Sequence, residues 1–371
     1  MTDKTDTHHC VPLPTSDQPI AASGSALSSL HDSLGLALDR RRPLVAQLDA
    51  EQTDCYRLYH GTVEGEAGVT VDRYGPQLII QSFHRDLGDD EVTLIVEQIE
   101  DRLGMALQPF YHARQHSQAN PTAAKHSLFS GAEGDAEAVC RELGVSFRTR
   151  GVHRGIDPLL FLDMRAGRRY IQQHAQGLSV LNLFSYTCGV GVVAASAGAR
   201  RVVNIDFARS ALDVGRENAE LNDLTDEQIE FVQSDFFPAA RQLAGLPVKY
   251  RRQGRGGRRQ PARNYPRLDA CQFDLVFLDP PRWAKSPFGT VDLIRDYPSL
   301  FKPSLLATKP GGRLVCCNNV AQVDAQDWLD QLQRSAAKVD RPIREVEWLQ
   351  PEADFPSFDG KHPLKMVVLH V

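Results

Sequence analysis

The chain has 371 residues, 42% of them hydrophobic, and a formal net charge of -5. That is enough apolar material for two cores, and it carries no global polyanion-binding signature, so any nucleic-acid contact has to come from local patches. No apolar run approaches the roughly 20 residues that span a bilayer, the first residues lack the basic and apolar regions of a secretory signal, and seven scattered cysteines without a C-x-x-C pair or metal-ligand spacing suit a reducing cytoplasm and no metal.

In chain order, residues 1–28 are rich in Thr, Ser, Asp and Pro without periodicity and predict a disordered tail, His8-His9-Cys10 included. From 26 to about 48 the spacing predicts one or two amphipathic helices carrying Arg40-Arg41-Arg42. Short alternating runs at 55–60, 68–74 and 77–83, separated by Gly and Pro, predict a strand–turn–strand meander. Residues 91–103 have helical spacing (Val92, Ile95, Ile99), and strand-like residues follow near 110–112 and 145–147. Residues 29–150 thus read as a small α+β domain, a candidate RNA-binding unit.

From Ser179 onward strands and helices alternate, which predicts a doubly wound α/β sheet over 151–371. Strands are expected at 180–184, 201–206, 229–233, 273–279, 312–317, 345–349 and 364–371, with helices clearest at 210–222 and 329–339. Only a loop, 351–363, separates the last two strands, so the sheet should end in an antiparallel hairpin, unlike a simple dinucleotide fold. Between the third and fourth strands, 249–267 holds eight basic residues and no acid. Arg252, Arg255, Arg258 and Arg259 make this stretch a candidate electrostatic RNA clamp, or a solvated insertion with no partner.

The strand ends carry the chemistry. Phe184-Ser185-Tyr186-Thr187-Cys188-Gly189-Val190-Gly191 leads from the first strand into a small-residue helix. Glycines there let a ligand approach the backbone, and the helix N-terminus offers free N–H groups. Asp206 ends the second strand, suited to ribose hydroxyls; Asp235 and Phe236 follow the third, suited to an adenine amino group and ring. The fourth closes in Asp279-Pro280-Pro281-Arg282-Trp283, a stiff loop at the carboxyl edge where ligands of open α/β sheets bind. Enzymes that methylate planar bases use an Asp/Asn-Pro-Pro-aromatic element of this kind. Gly189-x-Gly191-x-x-Ala194 also satisfies the loose dinucleotide fingerprint, so a nicotinamide oxidoreductase stays open, as does a non-catalytic RNA-binding protein with a relict donor fold.

Together, Phe161-Leu162-Asp163-Met164-Arg165, Leu181-Asn182-Leu183-Phe184-Ser185-Tyr186-Thr187, Asp206, Asn218 and Asp279-Pro280-Pro281 resemble one family. It is the class I S-adenosylmethionine-dependent 23S rRNA methyltransferases, with cytosine-C5 and guanine-N7 branches; Tyr56-Arg57-Leu58-Tyr59 and Val71-Asp72-Arg73-Tyr74-Gly75 are similar to their small preceding domain. The resemblance covers about 50–371. It implies a Rossmann-like domain with a seven-stranded sheet whose last strand is antiparallel, S-adenosylmethionine as cofactor, and a 23S rRNA or ribosomal-precursor partner in the cytoplasm. It also implies donor roles for Phe161, Asp163, Arg165, Asn182, Phe184, Ser185, Tyr186, Thr187, Gly189, Asp206, Asn218, Asp235, Phe236 and Asp279. The chain departs from the pattern in lacking an N-terminal PUA domain, in Asp157-Pro158-Leu159-Leu160 before Phe161, and in Cys188 where Gly is common.

Two acceptor chemistries remain. Cytosine C5 needs a thiolate added to C6 before it attacks the methyl group, whereas a ring nitrogen brings its own lone pair and needs only positioning. Cys317, in Val315-Cys316-Cys317-Asn318-Asn319, stands close to the cysteine of the C5 branch, while Asn318-Asn319 resembles the N7 branch. Cys317 is therefore a nucleophile or an inert buried thiol. Asp279, Pro280 and Pro281 would shape the base site, Trp283 or Phe288 would stack on the base, and Lys285 and Arg282 suit phosphates.

Overall fold

The computed structural model describes residues 21–114, 126–128, 136–152, 158–248 and 265–371. Helix α1 (Ala21–Ala50) opens it. Residues 21–28, expected in the tail, are therefore helical, while 1–20 lie outside the described residues. Leu30, Leu34, Ala37, Leu38 and Leu48 form the buried stripe that three-to-four spacing dictates. Arg41 leaves the basic run and turns inward, where it pairs with Glu64 at 2.5 Å and donates to the Arg57 carbonyl at 2.9 Å.

A five-stranded sheet follows: β1 (Cys55–His60), β2 (Val69–Tyr74), β3 (Gln77–Ser82), β4 (Gln108–Ala113) and β5 (His126–Leu128), in that spatial order. β3 and β4 are parallel because α2 (Asp89–Leu103) crosses between them; the other pairs are antiparallel. The helix starts two residues before the apolar periodicity, where the Glu91 carboxylate reaches back to accept from the Gly88 N–H. A separate hairpin, β6 (Glu137–Glu142) and β7 (Val145–Arg150), turns on Leu143 and Gly144, both at positive φ, as a two-residue turn demands.

The second sheet has seven strands: β8 (Ser179–Leu183), β9 (Arg201–Asp206), β10 (Ile229–Gln233), β11 (Phe273–Leu278), β14 (Thr308–Asn318), β15 (Glu345–Leu349) and β16 (Lys365–His370). Their order is β10-β9-β8-β11-β14-β16-β15, parallel up to β14, with β16 antiparallel to both neighbours. This is the expected Rossmann-like methyltransferase sheet with its antiparallel end. The helices are α3 (Arg165–His174), α4 (Gly189–Ser196), α5 (Arg209–Glu220), α6 (Phe236–Leu243), α7 (Pro298–Ala307) and α8 (Ala325–Ala337). After the diproline the chain forms a further hairpin, β12 (Trp283–Lys285) with β13 (Thr290–Asp292), where sequence reading expected only a loop.

Position 150 is not a break in packing. One apolar cluster runs from Cys55, Tyr74, Ile79 and Phe110 through Phe147 to Val180, Phe277, Val315 and Met366. Hydrogen bonds cross the same seam: the Arg148 and Ser146 N–H groups donate to Asn218 and Asn222 of the α5 region at 2.7 and 2.9 Å. Arg165, wholly buried, binds the Asp354 carboxylate at 3.1 Å and the Cys55 carbonyl at 2.8 Å, pinning the β15–β16 loop to β1.

Candidate active site

The carboxyl edge of the second sheet builds the site. β8 ends at Leu183, and the next five residues hold three non-glycine residues in the left-handed region: Phe184 (φ 58°), Tyr186 (φ 49°) and Cys188 (φ 61°). Each costs on the order of 1 kcal/mol or more, and such strain persists only where the surroundings over-determine it. They do. The Tyr186 N–H donates to Asp206 at 2.9 Å, Ser185 N–H to the Ile205 carbonyl at 3.0 Å, and the Thr187 hydroxyl to the Leu159 carbonyl at 2.7 Å. Gly191 is obligatory in the following helix, because a Cβ there would lie 2.0 Å from Asn204 Oδ1.

Asp206 accepts from the Tyr186 and Ala208 N–H groups, one on each oxygen, at 2.9 and 2.8 Å. Burial raises its carboxyl above the ordinary value, against those backbone donors. Asp235 caps α6, accepting the Phe237 N–H at 2.8 Å on one oxygen. Phe236 stacks on Phe184, with ring centroids 4.7 Å apart and 14° between planes. These residues line a cleft together with Phe207 and, from the diproline hairpin, Pro281 and Lys285. An apolar wall, two carboxylates at strand ends and close-approaching backbone fit an adenosine with a cationic sulfonium tail. Phe207, 66% exposed, is a lining residue that sequence reading missed; its signal was an aromatic side chain directly after the acid of β9.

Asp279 sits at the end of β11 in a partly exposed recess, and its carboxyl is raised to about 7. Burial is the main cause, the nearby Asp163 carboxylate adds to it, and Arg168 opposes both. Asp163 itself is raised by burial, against Arg57 and Arg168. Pro280 is buried and Pro281 faces the cleft. Trp283 begins β12 with 61% of its surface exposed, and Lys285 is exposed on the same strand. Phe161 and Tyr186 pair at 5.6 Å between ring centroids. Phe288 lies at the hairpin turn, edge-on to Tyr265.

Four expectations need correction. Arg165 is spent on the buried ion network with Asp354 and Glu142. Asn182 lies inside β8, its amide donating to Asn204 at 2.9 Å. Asn218 accepts from Arg148 N–H and donates to the Thr187 carbonyl at 3.0 Å; it holds the 184–188 loop from behind. Cys317 has no exposed surface and packs in the apolar cluster with Val315 and Met366, and burial pushes its thiol well above the ordinary value. A buried protonated thiol is inert, so the nucleophile reading loses its geometry. Cys316 is likewise buried, in the cluster on the opposite face. Arg252, Arg255, Arg258 and Arg259 lie outside the described residues. The fold also gathers Asp54, Cys55 and Cys140 with their ligand atoms within 4.8 Å of one another, a grouping that sequence spacing hid. Among the described residues no helix is long and apolar enough to cross a membrane.

The family of S-adenosylmethionine-dependent methyltransferases matches residues 95–249. The chain is 27% identical over 318 residues to ribosomal RNA large subunit methyltransferase I of Vibrio parahaemolyticus, covering 83% of this chain and 72% of that protein. It is 28% identical over 311 residues to ribosomal RNA large subunit methyltransferase K/L of Shewanella sp. MR-4, covering 82% of this chain and 40% of that one. In fold it is similar to SMU.776 complexed with S-adenosylhomocysteine (TM-score 0.73, 20% identity, 93% and 82% of the two chains). A methyltransferase from Agrobacterium tumefaciens is also similar (TM-score 0.57, 18% identity, 82% and 88%). The family match and the S-adenosylhomocysteine-bound neighbour stand with the methyl donor rather than with the nicotinamide that the fingerprint had left open.

Proposed function

We propose that this enzyme methylates a guanine ring nitrogen, N7, in large-subunit ribosomal RNA in the cytoplasm. The printed names of its relatives support the RNA class. The observation that carries the choice of atom is Cys317. A C5 route requires a thiolate facing the base, and this thiol is enclosed in the core and protonated. A ring nitrogen needs no covalent activation and loses no proton on methylation, so positioning suffices.

When bound, S-adenosylmethionine supplies an electrophilic methyl carbon. The chain's residues do the rest. Asp206 and Asp235 would hold the ribose and adenine ends, and the strained 184–188 loop would present its backbone to the amino-acid tail. Phe184, Phe207 and Phe236 keep water from the adenine. Asp279 and the diproline would fix the plane of the target base beside the donor, and exposed Trp283 would stack on it, with Lys285 and Arg282 on flanking phosphates. The base must be looped out or flipped to enter, at a cost of a few kcal/mol.

Mass spectrometry of nucleosides from large-subunit rRNA, after incubation with the enzyme and isotopically labelled donor, tests this directly. Labelled 7-methylguanine is expected, and Cys317→Ser should retain turnover within a few-fold. Labelled 5-methylcytosine, with turnover lost in a Cys317→Ser variant that still binds S-adenosylhomocysteine, would restore the C5 route.

A further inference from the structure

Beside the donor cleft lies a second, larger cavity that the chemistry above does not use. It is an open groove bounded by α6 (Phe237, Arg241), the β12–β13 turn (Phe288, Gly289) and α7 (Pro298, Lys302). Phe237 and Gly289 border both cavities. The contact is direct, since a Cβ on Gly289 would fall 2.5 Å from the Phe237 ring.

We propose that this groove seats a phosphate-bearing nucleotide of the RNA that flanks the methylated one; the proposal rests on the RNA reading above. Two cations from separate helices reach it. Arg241 donates its Nε to the Pro247 carbonyl at 2.7 Å, which anchors the guanidinium and leaves its outer N–H groups for a ligand. Lys302 is exposed on α7. Among the described residues neither cation is paired with a carboxylate. Asp296 also lines the groove, so the local balance is two positive charges against one negative, on a chain whose net charge is -5. Phe288, edge-on to Tyr265 at 5.5 Å, makes one wall of the groove aromatic. Cations for a phosphate and an aromatic wall for a base are the two halves of nucleotide recognition. A second cationic donor is disfavoured by the same charges.

The test uses the full chain, a labelled single-stranded fragment of large-subunit rRNA, and anisotropy at several salt concentrations. In Arg241→Gln/Lys302→Gln the RNA affinity should fall about tenfold. Loss of two phosphate contacts should lower the slope of log affinity against log salt by about 1.4. S-adenosylhomocysteine affinity should stay at the wild-type value. Phe288→Ala should weaken RNA binding with the slope unchanged. If the double variant fails to fold, Lys302→Gln alone, at an exposed position, should lower the slope by about 0.7. An unchanged affinity and slope in variants that still bind S-adenosylhomocysteine would overturn the groove assignment while leaving the RNA reading intact. A wild-type chain that neither binds nor methylates the RNA would instead overturn the reading on which it rests.

Discussion

The carboxyl of Asp279 makes a quantitative prediction. Lifting it from 3.8 to about 7 disfavours the ionised form by about 4 kcal/mol, at 1.36 kcal/mol per pH unit. The folded state then keeps its proton between pH 4 and 7 while the unfolded chain releases it. Stability contributed by this group is therefore greatest below pH 4, falls as pH rises to 7, and is level above. Asp279→Asn removes the titration at nearly constant shape. Relative to wild type, the variant should be of similar stability only at pH 4 or below, should pull ahead as pH rises through 5 and 6, and should be more stable at pH 8 by about 2–4 kcal/mol, the lower bound allowing for water entering the recess. Urea midpoints of both proteins across pH 4.5–8.5 measure this gap. The same logic applies to the donor. An ionised Asp279 attracts the sulfonium of S-adenosylmethionine but gains nothing from the neutral sulfur of S-adenosylhomocysteine. The affinity ratio of the two should rise through pH 7 in wild type and stay flat in the variant. A stability gap independent of pH over this range would refute the reasoning, because it would mean that the buried carboxyl is not strained by ionisation.

Removing one member of the buried ion network should be costly. Asp354→Ala takes from Arg165 its hydrogen-bonded carboxylate and leaves only Glu142 at 3.8 Å, and should destabilise the protein by about 3 kcal/mol in denaturant titration. Asp354→Asn, which keeps hydrogen bonds, should cost less. Gly191→Ala places a methyl group against Asn204 Oδ1 and should lower S-adenosylhomocysteine affinity at least tenfold by calorimetry; adding Asn204→Ala should recover part of the loss. Asn218→Ala removes the Thr187 tether without touching the cleft wall and should weaken donor binding several-fold with the RNA salt slope unchanged.

The second sheet was legible because several of its strands are short apolar runs, with an acid closing β9 and Asp279 with two prolines following β11, and the 351–363 loop left no room for a crossover helix. Helix α7 was not, since Pro298 and Pro303 read as breakers; Pro298 occupies the first turn, where a missing N–H costs nothing, and only Pro303 lies inside. Hairpin β12–β13 is three residues per strand, too short for alternation to register. In the site, Asp206, Asp235, Phe236 and Pro281, read as site residues from their positions after strands, all line the cleft. Arg165, Asn182 and Asn218 were not distinguishable from ligand contacts, because a motif records that a polar residue is needed and not what it touches. Only the fold reveals that Asp354, 189 residues away, consumes Arg165.

The charge layout then follows from the two ligands the enzyme has to hold together. The proposed donor is a cation, and acids stand at the strand ends: Asp206 and Asp235 line the cleft, and Asp279 follows the central strand β11. The RNA is a polyanion that those acids would repel, and the approach must be screened by cations standing between. Lys285 lines the cleft from the diproline hairpin, exposed Arg282 comes just before that hairpin, and Lys302 is exposed on α7 at the neighbouring groove. A hairpin three residues long per strand is enough for this, because the diproline fixes where it leaves the sheet and Gly289 lets its turn sit on Phe237. Acid inside and base outside lets one small element separate two oppositely charged substrates while bringing their reacting atoms together.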